Sequence, residues 1–125
     1  MKLRIKGNSL RFRVARSELE TFLKDGRIQE AIYLGPEEKA HLSYALEHNA
    51  QTESVTARYN PPALSVAMPT NEVERWAGSD QVGIYATLHL AARGTLELII
   101  EKDFACLHGT DEENRDAFPN PSFGA

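Results

Sequence analysis

A single cysteine, Cys106, excludes an intramolecular disulfide and points to a reducing compartment rather than a disulfide-stapled secreted scaffold. Long apolar runs are also missing. The first residues, Met1-Lys2-Leu3-Arg4-Ile5-Lys6, carry a charge at every second position, where a signal peptide needs an unbroken apolar stretch. No segment approaches the length of a membrane span, so a cytoplasmic protein with no membrane partner is expected. Positive charge is in deficit. With 14 Lys and Arg against 18 Asp and Glu, the net charge of −4 argues against a general nucleic-acid binder, which needs a basic surface. The familiar catalytic signatures are absent as well: no phosphate-cradling glycine loop, nucleophile elbow, His-Glu-x-x-His or calcium loop occurs.

What is present is the material of one ordinary domain. A chain of 125 residues with 42% apolar and 26% charged residues matches globular averages and can bury a core. A single domain over residues 1–125 is expected, with pseudo-repeats at 1–50 and 54–104 and a tail over 105–125. Leu3 and Ile5 alternate with Lys2, Arg4 and Lys6, the period of a half-buried strand. Gly7-Asn8 suits a tight hairpin turn, after which Leu10, Phe12 and Val14 alternate with Arg11 and Arg13. Ser17 with Glu20 reads as a capping box, Leu19, Phe22 and Leu23 share a helical face, and Gly26 supplies the stop. Strands follow over 28–34 and 41–47, parted by Gly35-Pro36.

The same order returns. Strands through Val55, Ala57 and Tyr59 and through Leu64, Val66 and Met68 flank Pro61-Pro62, which belongs in a turn because proline cannot donate to a sheet. Thr70 or Asn71 caps a short helix carrying Val73 and Trp76, and strands through Val82–Leu88 and Leu96–Ile100 flank a turn at Arg93-Gly94. Leu10 and Leu64, Glu18 and Glu72, Glu20 and Glu74, Leu34 and Leu88, Leu42 and Leu96, and Glu47 and Glu101 are each 54 positions apart. Leu19 with Val73, Phe22 with Trp76 and Ile28 with Val82 keep that offset, which favours a duplicated unit over coincidence of period. Glu30 breaks the pattern by falling where Ile84 stands, so a bulge or an arginine partner is expected there. The fold expected is α+β: a duplicated ββαββ unit making a mainly antiparallel eight-stranded sheet, open or barrel-like, with two short helices and an extended C-terminal tail.

Three places could carry chemistry. Lys2, Arg4, Lys6, Arg11 and Arg13 project from the non-core face of the first hairpin and form a candidate anion site. Glu101 and Asp103, with Glu47 as repeat mate of Glu101, are candidate ligands for a divalent metal. If the first and last strands are neighbours, these rows face each other as ion pairs; the plain alternative is a solvated face of mixed charge. Cys106 and His108, on one side of an extended chain, could join a zinc site or serve as nucleophile and base, whereas a packed apolar cysteine is the plain reading. Finally, Phe118, Pro119, Asn120, Pro121 and Phe123 make an aromatic, proline-stiffened arm that can pack on its own sheet or dock a partner, a second copy included.

A duplicated unit closing around a charged lumen is similar, at the level of fold, to the CYTH-like triphosphate-tunnel proteins. That family opens with a Glu-x-Glu-x-Lys strand, where this chain has Lys2-Leu3-Arg4-Ile5-Lys6 and so lacks the catalytic carboxylates. Met1–Ser9, Asp80-Gln81-Val82-Gly83-Ile84, Glu101-Lys102-Asp103-Phe104-Ala105-Cys106-Leu107 and Phe118-Pro119-Asn120-Pro121 together give a closer likeness. Over nearly its whole length the chain resembles a family of small uncharacterised bacterial proteins, a domain of unknown function. That resemblance implies a free-standing domain and transfers no catalytic residue. The leading functional expectation is a non-catalytic binding or interaction module, dimerising through a sheet edge or the tail. The alternative is a phosphate-ester or nucleotide binder or hydrolase, using the charged face or a lumen with a divalent metal.

Overall fold

The computed structural model describes residues 1–105, 109–112 and 114–120. In chain order the elements are β1 (Lys2–Lys6), β2 (Ser9–Val14), α1 (Arg16–Asp25), β3 (Arg27–Tyr33), β4 (His41–Asn49), β5 (Thr56–Asn60), β6 (Ala63–Pro69), α2 (Thr70–Ala77), β7 (Gly83–His89) and β8 (Thr95–Lys102). The path strand-strand-helix-strand-strand is thus run twice, as the alternation of apolar residues predicts. No helix among the described residues is long and apolar enough to cross a membrane.

The strands do not assemble into one sheet, and no barrel closes. A first sheet has the order β1-β2-β8-β7 and a second the order β3-β4-β6-β5. Each sheet takes one hairpin from each half of the chain. The joining pairs, β2 with β8 and β4 with β6, are parallel, and every hairpin pair is antiparallel. Among the described residues the outer strands of each sheet have no strand partner on their far sides, so neither sheet closes around the lumen that the tunnel-fold likeness required. The reason lies in the connections. A two-residue turn holds β1 on β2, and a helix then carries the chain away before β3, so each inner strand must find its second neighbour from the other half.

Residues 1–20 with 81–125 form one compact unit and residues 21–80 another. In the first, Phe12, Val14, Ile84, Leu98 and Ile100 are buried on one face of the sheet. In the second, α2 packs on β4 and β6, and Leu46, Val66, Met68, Val73 and Trp76 are sealed from solvent. Burying a side chain of this size contributes about 1.5–3 kcal/mol, which is why the alternating pattern, rather than helix or strand propensity, sets the faces.

Both helix starts differ from expectation. α1 begins at Arg16, so Ala15 holds the cap position and its N–H donates to Glu18 Oε1 at 2.9 Å, the reach-back half of a capping box. Ser17 lies inside the helix; its N–H donates to Asp116 Oδ1 at 3.1 Å and its hydroxyl to Asp116 Oδ2. A carboxylate from the tail therefore caps the helix, which local sequence could not reveal. Glu18 also pairs with the amino group of Met1. At α2 the cap position is Pro69, and the Thr70 hydroxyl is spent on His48 Nδ1 at 2.9 Å.

The offset of 54 survives in the register of β1, β2, β4 and their counterparts: Lys2 pairs with Arg13 as Thr56 does with Ala67, and Ser9 with Glu97 as Ala63 does with Ser43. It fails at β3. Arg27 stands opposite Glu47 while Gly83 stands opposite Glu101, an offset of 56 between 27 and 83. Ile28 therefore corresponds to Ile84 rather than to Val82, and Glu30 to Ala86. The Glu30 anomaly disappears without a bulge, since pairing is continuous from Arg27 to Tyr33. Glu30 is exposed because β3 runs past the end of the core, where its carboxylate accepts from the Tyr44 hydroxyl at 3.4 Å.

Candidate functional site

Apart from the buried Lys102, alternation places the Lys, Arg and Glu side chains of the first sheet on one face in three cross-strand rows. Lys2, Arg13, Glu101 and Gly83 form one, Arg4, Arg11, Ile99 and Tyr85 the next, and Lys6, Ser9, Glu97 and Thr87 the last. The face is thus basic on β1 and β2, mostly acidic on β8, and hydroxyl-bearing on β7. Because β8 lies beside β2, Arg13 rather than Lys2 stands opposite Glu101.

Glu101 is the best-held carboxylate on this face. Arg11 Nε lies 3.5 Å from its Oε1, and the Tyr85 hydroxyl donates to Oε2 at 2.8 Å. Burial, then the hydrogen bond and charge of Glu101, push the Tyr85 phenol above its ordinary pKa, against a smaller lowering by Arg11. Glu97 accepts from Thr87 Oγ1 at 2.7 Å, and Asp103 pairs with Lys2 at 2.9 Å. Surface pairs of this kind contribute about 0–1 kcal/mol each, and their larger effect is to fix side-chain positions.

Arg4, Lys6 and Arg13 differ from these. Among the described residues none of the three is paired with a carboxylate. Arg4 stands directly opposite Arg11, and Lys6 lies one row away. Arg4, Lys6, Ser9, Arg11 and Ile99 line a cleft of about 100 Å³. The Ser9 hydroxyl there donates to the Lys6 carbonyl at 2.6 Å. Arg13 and Glu101 line a separate cleft of about 260 Å³ with Asp103 and Phe104.

The remaining candidates are dispersed. Glu47 lies on β4 in the second sheet, 3.3 Å from Arg27 Nη1. Among the described residues no three His, Cys, Asp or Glu side chains group as metal ligands. Cys106, His108, Pro121 and Phe123 lie outside the described residues. The tail does pack on its own chain. Phe118 forms a bridge with Phe104, their ring centroids 6.3 Å apart, and Asn120 Nδ2 donates to the Ala105 carbonyl at 2.7 Å. Pro119 lies between these two anchors. The Arg16 guanidinium and the almost wholly buried Lys102 ammonium sit 5.9 and 5.4 Å from the Phe118 ring centre, within reach of a cation–π contact.

By sequence His48 reads as a surface or strand-end histidine rather than a ligand. Its Nε2–H donates to the Phe22 carbonyl at 3.0 Å and its Nδ1 is hydrogen-bonded to the Thr70 hydroxyl at 2.9 Å. With Phe22 edge-on at 5.0 Å it ties α1, β4 and α2 together. It also borders the second sheet's polar cleft of about 280 Å³, with Glu47, Arg58, Ser65 and Ala67. A histidine at the apolar parity of a strand was the available signal.

Compared with known proteins, the chain matches the model of a family of unknown function (DUF7009) over residues 1–122. No curated protein and no solved structure matches it.

Proposed function

The chain belongs to the family of unknown function DUF7009, and from that premise we propose that it is a non-catalytic binding module whose ligand presents a single oxyanion group, phosphate or carboxylate, to the cleft at Arg4, Lys6 and Arg11. The observation that carries this reading is the facing of Arg4 and Arg11 across β1 and β2 beside Lys6, with no carboxylate paired to Arg4 or Lys6 among the described residues. Like charges directly opposite each other in a sheet are destabilising, and an anion between them reverses the sign of that interaction. A cleft of about 100 Å³ admits one such group and not a whole nucleotide, since drug-sized ligands need roughly 300–1,000 Å³. Binding rather than turnover is supported by Ser9, whose hydroxyl is already committed to the Lys6 carbonyl.

The tail supports this choice over a docking role, because the Phe118 ring is occupied within its own chain. The test is a thermal-shift titration of the full chain with inorganic phosphate, pyrophosphate and acetate at constant ionic strength. Phosphate is expected to raise the melting temperature by mass action, and the gain is expected to shrink in Arg4→Gln. An unchanged melting temperature at ~50 mM phosphate, which would place the Kd well above that range, rules the reading out.

A further inference from the structure

The second sheet carries a trough floored by small side chains where the first sheet has arginines. Gly26, Glu47, Asn49, Thr52, Thr56 and Arg58 surround a floor of Ser65 and Ala67, with a volume of about 280 Å³. By register, Ser65 and Ala67 on β6 occupy the places that Arg11 and Arg13 hold on β2. Bulk that fills the first sheet's face is absent here. The loss of two arginine side chains leaves the trough open, and β5 and β4 stand as its walls, about 10 Å apart at two strand spacings.

The walls carry opposite charges. Arg58 on β5 is exposed and, among the described residues, is paired with no carboxylate. Glu47 on β4 lines the trough and meets Arg27 through Oε1 at 3.3 Å. Both ring nitrogens of His48 are engaged, by the Thr70 hydroxyl and the Phe22 carbonyl, so neither is left to meet a ligand. We propose that this trough binds a small zwitterion of the free α-amino-acid class, with Arg58 receiving the carboxylate and Glu47 the ammonium group.

The charge pattern selects that class. A simple anion would gain Arg58 and be repelled by Glu47, and a simple cation would meet the reverse. A molecule carrying both charges a few ångströms apart satisfies both walls. The guanidinium offers a planar pair of donors matched to a carboxylate. The Thr52, Thr56 and Ser65 hydroxyls can serve the ligand's remaining polar groups. The volume lies just under the range of drug-sized sites, as a molecule this small requires. This site is separate from the oxyanion cleft of the first sheet and stands without it.

The experiment is a thermal-shift panel of the full chain against each of the common free amino acids at ~10 mM, where millimolar affinity gives a readable rise. For any amino acid that shifts the protein, the N-acetyl form, which lacks the ammonium, and the carboxamide form, which lacks the carboxylate, are run beside it. The proposal expects a shift with at least one free amino acid, lost with both derivatives. It further expects loss of the shift in Ala67→Leu, which fills the floor, and at least tenfold weaker binding in Arg58→Gln. Arg58 is exposed, so that second variant tests the site without touching the core. A panel with no shift overturns the proposal. So does a shift that survives in Ala67→Leu, or one reproduced in full by the N-acetyl form, which would indicate an anion site only.

Discussion

Replacing Gly83 by alanine puts the packing of the first sheet to a direct test. The added Cβ would lie 2.5 Å from the Ile100 carbonyl oxygen, 2.8 Å from Glu101 Cγ and 3.1 Å from the Tyr85 hydroxyl. The first is backbone of the neighbouring strand, so it cannot swing aside as a side-chain tip would. Relief requires β7 to move from β8 by most of an ångström at the row where Gly83 pairs with Glu101, next to the row of the fully buried Ile84 and Ile100. Overpacking of this kind costs about 1–3 kcal/mol. Displacing Glu101 from the Tyr85 hydroxyl adds up to about 1 kcal/mol, limited by its partial exposure. The total of about 1–4 kcal/mol corresponds to a fall of roughly 4–16 °C in melting temperature for a chain of this size. Thermal unfolding followed by circular dichroism reads it directly. Gly94→Ala is the contrast: nothing lies within 4 Å of its added Cβ, but φ is +88° and ψ −130°, so the expected loss of about 1–3 kcal/mol comes from backbone strain alone. A Gly83→Ala protein melting within about 2 °C of the parent would refute the reasoning, because both terms follow from crowding by the added Cβ.

Three other perturbations have defined outcomes. Asp116→Ala removes the acceptor for the Ser17 N–H and hydroxyl and should lower stability by about 1 kcal/mol in a denaturant titration, with Asp116→Asn retaining most of it. His48→Ala should cost about 2 kcal/mol, since it strips partners from Thr70 and the Phe22 carbonyl and the edge contact with the Phe22 ring; a loss under 0.5 kcal/mol would contradict that linkage. The Tyr85 phenol, raised chiefly by burial and then by Glu101, favours the protonated form in the fold. Its contribution is complete below the ordinary value of 10.0 and declines as pH climbs through the folded pKa, because the unfolded chain releases the proton first. Phenolate absorbance should therefore appear at lower pH in Glu101→Gln than in the parent.

Much of the secondary structure was legible in the sequence because it is a local matter. Leu3 and Ile5, Leu10 to Val14, and Leu64 to Met68 alternate with the period of two that a half-buried strand demands, and each run became a strand near the expected bounds. Gly26, at φ +80°, ends α1 as its freedom from a Cβ allows. The basic row was legible too, since parity alone puts Arg4, Lys6 and Arg11 on one face. Helix caps were misread because their partners came from afar: Asp116 reaches Ser17 from the tail, and Thr70 turns to His48.

Periodicity determined which residues of this chain extend, which coil and which side of each strand meets water, because those outcomes depend on neighbours a few positions away. Tertiary structure alone decided that each half lends a hairpin to the other, that β2 lies beside β8 and β4 beside β6, and that two sheets form instead of one closed surface. It also slipped β3 by two residues, a change invisible to a period of two because it returns every side chain to the same face. The trough at Arg58 and Glu47 arises at the same level: its walls stand on strands two apart, and only the pairing of β4, β6 and β5 brings them within reach of one ligand.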